Sequence, residues 1–244
     1  MKKKYILTVL IISLMIGLYT GPINASDNKL QKGIKAYTNK NYQLAINHLT
    51  EYAVTNNQNY RVHYFLGLTY LKLDEYQLAI DSLKLANNIN PKNYHIIVNL
   101  GRAYYKNNNF ENADEILNRC KQLENIDDQV FNLLGLIEQH YGNYNKAIDN
   151  FKKAVSYDKD NYYIYNNLGF TYLTRGNYEK ASKYLKKAAN LNPPVAFIYN
   201  NLGITYENMK ELKKATTYYK KALEVNSNYE KARKNLNRVQ KKLD

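Results

Sequence analysis

The sequence predicts an all-α protein, a solenoid of six short helix pairs closed by a C-terminal helix, and three observations predict it. Gly33, Gly67, Gly101, Gly135, Gly169 and Gly203 stand 34 residues apart without an insertion. Twelve residues after each comes an alanine: Ala45, Ala79, Ala113, Ala147, Ala181 and Ala215. Between these markers the apolar residues keep helical spacing. In residues 161–194, Tyr165, Leu168, Gly169 and Tyr172 fall at i, i+3, i+4 and i+7, and Tyr178, Ala181, Leu185 and Ala188 form a second stripe of the same kind. A helix pair this short cannot close a core alone, so each pair needs the next.

Taken in order, residues 1–25 read as an export leader rather than part of the fold. Lys2, Lys3 and Lys4 precede a 14-residue apolar run over residues 5–18, Gly21-Pro22 breaks it, and Ile23 and Ala25 offer a small-residue cleavage site. Cleavage between Ala25 and Ser26 would release the protein outside the cytoplasm, with Ser26 opening the first repeat. The apolar run falls short of the roughly 20 residues needed to span a bilayer. An uncleaved N-terminus is the competing expectation, and the one route by which this chain would meet a membrane.

The repeats follow at 26–59, 60–93, 94–127, 128–161, 162–195 and 196–229. Within each, a turn separates the two stripes. In the fifth, Gly176 suits the left-handed conformation that ends a helix, Asn177 caps the next helix with Glu179 in its first turn, and Pro193 stops it. Asp127 and Asp128 also stand at a helix start, where acids suit the helix dipole. Residues 230–244 carry one apolar stripe, Ala232, Leu236, Val239 and Leu243, on a basic helix that reads as a cap. Lys231, Arg233, Lys234, Arg238, Lys241 and Lys242 are expected to face outward from it.

On these residues the chain resembles the tetratricopeptide repeat family, whose 34-residue repeat carries W-x2-L-G-x2-Y and then A, F, A and P. Leu66, Leu100, Leu134, Leu168 and Leu202 precede the glycines, and Tyr70, Tyr104, Tyr172 and Tyr206 follow them by three. Leu49, Leu83, Leu117, Phe151, Leu185 and Tyr219 take the later bulky position. His63 replaces the tryptophan, and the first repeat departs most, with Lys32, Ala36 and Tyr52. The resemblance covers residues 26–229 and implies a right-handed α-solenoid whose first helices line a concave, partner-binding groove.

Composition narrows the function. The whole chain carries a net charge of +14, much of it in second-helix lysines that read as a solvated face, and nucleic acid is not an expected partner. Cys120 is the single cysteine and replaces a packing alanine, so no internal disulfide is available. His48, His63, His95 and His140 lie in separate contexts, without metal-ligand spacing, and no glycine-rich phosphate loop or nucleophile, base and acid set is present. No catalytic residue, cofactor or metal is expected.

By the family's groove positions, the partner-binding residues are Asn99, Arg102, Tyr163, Asn166, Asn167, Phe170, Phe197, Asn200 and Asn201. Asn99, Asn167 and Asn201 share the sixth position of their repeats and should form a row offering donors and an acceptor to an extended peptide. The expected function is a non-catalytic scaffold of the cell envelope or exterior that binds a partner peptide or protein in the groove. A membrane-anchored adaptor for an envelope machine is the alternative, and a binder of cell-wall glycan a third. The chaperone-tail clamp of some family members, lysine at the fifth and asparagine at the ninth position, occurs in no repeat.

Overall fold

The computed structural model describes residues 25–121, 123 and 126–243. The described residues form thirteen helices and no strand. The fold is an all-α helical-repeat solenoid. Apart from Ala25, the leader lies outside the described residues, and Ala25 itself opens the first helix. The helices fall into two compact units, one ending at Pro91 and one beginning at Lys92. The first holds α1 (Ala25–Thr38), α2 (Tyr42–Ala53), α3 (Tyr60–Lys72) and α4 (Tyr76–Ile89). The second holds α5 (Tyr94–Lys106), α6 (Phe110–Cys120), α7 (Asp128–His140), α8 (Tyr144–Tyr157), α9 (Tyr162–Thr174), α10 (Tyr178–Asn190), α11 (Ala196–Asn208), α12 (Leu212–Val225) and α13 (Glu230–Gln240).

Each helix pair is made possible by its glycine. A Cβ built on Gly33, Gly67, Gly101, Gly135, Gly169 or Gly203 would lie within 2.7 Å of the side chain sixteen residues on, namely Leu49, Leu83, Leu117, Phe151, Leu185 and Tyr219. A bulky side chain thus occupies the space that a Cβ on the first helix would need. The alanines between them are fully buried, and so is each of these large residues. Around this contact, unit one builds a core from Leu30, Ile34, Ala45, Leu49, Tyr52, Val62 and Leu66, and unit two a longer one from Phe131 through Val239. The departures in the first repeat do not loosen it: Ala36 and Tyr52 are buried, and the Tyr52 hydroxyl accepts a hydrogen bond from Asn59 Nδ2 at 3.0 Å.

One backbone device turns every pair. Lys40, Asp74, Asn108, Gly142, Gly176 and Lys210, again 34 apart, all have φ between 58° and 74°. In each turn the next residue's N–H reaches back five residues to the position three after the glycine, as from Asn177 to the Tyr172 carbonyl at 3.0 Å and from Glu211 to that of Tyr206 at 2.9 Å. This is a Schellman-type termination, which satisfies carbonyls the helix end leaves over. Gly176 was legible as its left-handed residue. The lysines at 40 and 210 were not, because the closing bonds rather than their own preference hold them there. Asn177 and Asp127 cap α10 and α7 as expected, accepting from Lys180 N at 3.1 Å and Gln129 N at 2.8 Å.

In unit two the helices form two layers. The first helices α5, α7, α9 and α11, then α13, pack each on the next, and the second helices α6, α8, α10 and α12 lie outside them. Among the described residues no second helix touches another. Neighbouring repeats of this unit therefore meet where each first helix packs on both helices of the repeat before it.

Two substitutions should move stability in opposite directions. Gly169→Ala places its Cβ 2.7 Å from Leu185 Cγ and 3.0 Å from the Leu185 backbone nitrogen, and should cost about 1–3 kcal/mol. Lys210→Gly relieves about 1–2 kcal/mol of left-handed strain against about 0.5–1 kcal/mol of added chain entropy, a net gain of up to about 1.5 kcal/mol. Urea midpoints shifted in the same direction would refute this account of the pair.

Candidate protein-binding face

All nine residues expected to bind a partner lie in unit two, on the first helices. The structure sorts them into two groups. Tyr163 and Phe170 are exposed, at 48% and 41%, and Phe197 is half-buried. The Tyr163 and Phe197 rings sit 6.2 Å apart between centroids, so the apolar contact is shared by α9 and α11. Tyr162 extends it, 4.4 Å from Tyr163.

The amides are mainly turned to the protein itself. Asn167 Nδ2 donates to Asn132 Oδ1, Asn201 Nδ2 to Asn166 Oδ1, and Asn235 Nδ2 to Asn200 Oδ1, each at 3.0 Å. Each bond links the fifth position of one repeat to the sixth of the next, 35 residues on, so the row stitches α7 to α9, α9 to α11 and α11 to α13. Asn166 and Asn200 are buried, at 8% and 3%. The sixth-position amides Asn167 and Asn201 do form a row and stay half-buried, but their Nδ2 atoms turn to the preceding repeat, because the packed first helices bring fifth and sixth positions face to face and the buried fifth-position amides bond there. The signal was in the sequence, as asparagine at both positions of consecutive repeats, but its geometry needs the packing. Asn235, on the cap, was missed.

Asn99 and Arg102 form a separate cluster. Arg102 donates through one terminal nitrogen to Asn99 Oδ1 and through the other to Gln129 Oε1 at 2.6 Å, while Gln129 Nε2 donates to Asp127 Oδ2 at 3.0 Å. The Tyr94 hydroxyl also donates to Asp127. Burial, then the Asp127 carboxylate, pushes the Tyr94 phenol well above its ordinary range. The cluster gives the α5 and α7 end of the face a held guanidinium.

At the other end Glu207 of α11 is an anchor. Its side chain, 11% exposed, accepts from the Tyr219 hydroxyl at 2.9 Å, from Arg238 Nε at 3.1 Å and its terminal nitrogen at 2.7 Å, and from Lys242 Nζ at 3.0 Å. Arg238 and Lys242 stay exposed, as expected, and their charged ends reach across to this carboxylate, the acceptor that α11 offers to the cap. Burial would raise the Glu207 carboxyl, but the Arg238, Lys242 and Tyr219 bonds outweigh it and hold it at about 2. Of the cap's stripe, Ala232 and Val239 are fully buried, whereas Leu243 is 45% exposed.

His63 is buried, with Nε2 bonded to the Asn57 carbonyl at 2.8 Å, a packing role at the tryptophan position. Burial pushes the Cys120 thiol up to about 12, away from nucleophilic use. Among the described residues no group of three or more histidines, cysteines or carboxylates is placed to hold a metal, and no helix is long and apolar enough to cross a membrane.

Known proteins match this geometry. A family model described as the cilia and flagella-associated protein 70 C-terminal domain, of tetratricopeptide type, matches residues 19–240. Among solved structures the chain is similar to the anaphase-promoting-complex hetero-tetramer Cut9–Hcn1, with a TM-score of 0.77 and 19% identity. That match covers 88% of this chain and 42% of the other, so the chain spans less than half of that relative's length. It is similar to Pseudomonas aeruginosa PilF at TM-score 0.72 and 17% identity, covering 86% of this chain and 96% of that one. It is also similar to YrrB, described as a tetratricopeptide protein with an unusual peptide-binding site, at TM-score 0.57 and 15% identity over 75% of this chain and 95% of that one. No curated protein matches.

Two measurements test the anchoring roles. Asn167→Ala with Asn201→Ala should lower stability by about 1–3 kcal/mol, one hydrogen bond's worth at each site, and an unchanged melting temperature would show that the amides are not staples. For Glu207, a carboxyl held below its ordinary 4.5 stabilises the fold above that pH, and the benefit fades as pH falls toward about 2. Glu207→Gln should therefore melt below the wild type at neutral pH, with the gap closing through that window. A gap independent of pH would count against the anchor.

Proposed function

Because the chain belongs to the tetratricopeptide-type family of the cilia and flagella-associated protein 70 C-terminal domain, we propose that its protein-interaction scaffold takes a partner peptide or protein on the first-helix face of residues 92–244. Proteins of this repeat type are typically non-catalytic scaffolds, and this chain is read as one. The observation that carries the choice of face is the exposed aromatic group Tyr163, Phe170 and Phe197, set beside bonded amides on α9 and α11. Large rings held on a rigid helical frame contribute contact area at low entropic cost, which is what a peptide-binding surface requires. YrrB's description as having a peptide-binding site is consistent with this use of the fold. Asn166, Asn167, Asn200 and Asn201 contribute by fixing the spacing of α7, α9, α11 and α13, and Asn99 and Arg102 by offering a held cation at the far end.

The same proposal places the protein outside the cytoplasm, in the envelope or beyond, after removal of residues 1–25. What supports this is the sequence alone: Lys2 to Lys4, the short apolar run and the Ile23 and Ala25 cleavage pattern. N-terminal sequencing of protein recovered from outside the cytoplasm should begin at Ser26. Material found chiefly in the cytoplasm would end the export reading.

Binding is tested by capture from envelope extract with wild type and with the double variant Tyr163→Ser, Phe170→Ser. Both side chains are exposed, so the melting temperature should hold within a few degrees. A polypeptide captured by the wild type should be lost from the variant, with affinity weakened at least about tenfold, roughly 1.4 kcal/mol. Undiminished capture by the variant would move the partner off this face.

A further inference from the structure

Charge is segregated between the two layers from α7 to α12, unlike α5, which carries Arg102 and Lys106, and α6, which carries Glu111, Asp114 and Glu115 against Arg119. Second helices α8, α10 and α12 carry eleven lysines against three carboxylates, Asp149, Glu179 and Glu224. First helices α7, α9 and α11 carry no lysine or arginine, and three carboxylates, Asp128, Glu138 and Glu207. All eleven lysines are exposed. Nine of them form three rows in step with the repeat: Lys146, Lys180 and Lys214; Lys152, Lys186 and Lys220; Lys153, Lys187 and Lys221. Ion pairs to carboxylates engage Lys146 and Lys214 of these, among the described residues.

The lysines are also held. Lys153 Nζ lies 5.7 Å from the Phe131 ring and Lys187 5.5 Å from Tyr165, one repeat on. Lys180 lies 5.6 Å from Tyr172 and Lys214 5.3 Å from Tyr206, again one repeat apart. Beneath them Tyr172 stacks on Tyr184 at 5.6 Å and 4°, and Tyr206 on Tyr218 at 5.4 Å and 2°. Cation–π contact restrains an otherwise flexible ammonium without neutralising it, so less side-chain entropy is lost when a counter-charge arrives.

We propose that the outer face of α8, α10 and α12 docks an acidic segment of a partner polypeptide, laid along these rows. Charge complementarity selects an anion, and the repeat spacing selects an extended one. Single-stranded nucleic acid would need free ring faces for its bases, and these tyrosines are stacked on each other and covered by lysine. A membrane surface would need apolar side chains to insert, and on these helices the large exposed ones are Tyr157 and Val225, at helix ends. This site is independent of the aromatic face on the first helices.

The test is fluorescence anisotropy of the full chain with a labelled poly-glutamate peptide. Wild type should bind, more weakly as salt rises. Lys153→Gln, Lys187→Gln and Lys221→Gln together should weaken binding at least about tenfold, and so should the same change at Lys152, Lys186 and Lys220; because Lys186 also lies 5.5 Å from the Tyr206 ring, the melting temperature of each variant keeps folding and charge effects apart. Removing as many charges from the C-terminal cap, at Lys231 and Lys234 of α13 and at Lys241 just after it, should leave affinity within about twofold. Tyr163→Ser should have no effect. Failure of wild type to bind, equal affinity for the row variants, or tighter binding of phosphatidylglycerol vesicles or duplex DNA than of the peptide would overturn the proposal.

Discussion

The structure depends on one steric constraint, the approach of a bulky side chain to a backbone with no Cβ. In each repeat a glycine of the first helix meets a leucine, phenylalanine or tyrosine of the second at a distance that any Cβ would force to widen. That contact sets the helix separation, and the separation in turn demands the small residue of each second helix: fully buried Ala45, Ala79, Ala113, Ala147, Ala181 and Ala215. Because the constraint is local, it returns every 34 residues, and both units obey it. The repeat period is therefore a steric requirement repeated, and its regularity is what made the fold readable.

The same logic marks where reading stops. Gly176, Asn177 and Asp127 were legible because each acts within a few residues of itself, as a turn or a cap. Lys40 and Lys210 in left-handed turns were not, since their conformation is imposed by closing bonds such as Glu211 N to the Tyr206 carbonyl. The amides at the fifth and sixth positions lie one repeat and one residue apart in sequence, so their pairing exists only once first helix meets first helix. A residue's partners within a repeat could be counted off. Its partners across repeats had to be seen.

That difference explains the redistribution of roles on the first-helix face. An amide buried between two helices must bond, and the nearest group available is the amide of the neighbouring repeat. The ladder is thereby spent on fixing one helix against the next. Asn200 bonds Asn235 of α13, and Glu207 bonds Arg238 and Lys242, so the cap is tied by two kinds of contact to the helix it covers. Outward on α9 and α11 stand the rings of Tyr163 and Phe170 together with Thr174 and Asn208, and it is on the rings that the proposed binding role rests.

Two faces of unlike chemistry follow from a single repeat. First helices α7, α9 and α11 contact each other, so their shared surface is filled with amides that satisfy one another, and a cation there would face desolvation. Second helices contact no second helix, so their outer positions carry no packing duty and can accumulate lysine at little cost, provided the chain tolerates the mutual repulsion. The rings of Phe131, Tyr165, Tyr172 and Tyr206 ease that repulsion by drawing ammonium groups onto them. The arrangement allows an aromatic face and a cationic face to be altered separately, since a change on one leaves the glycine contacts and the amide stitches beneath it untouched.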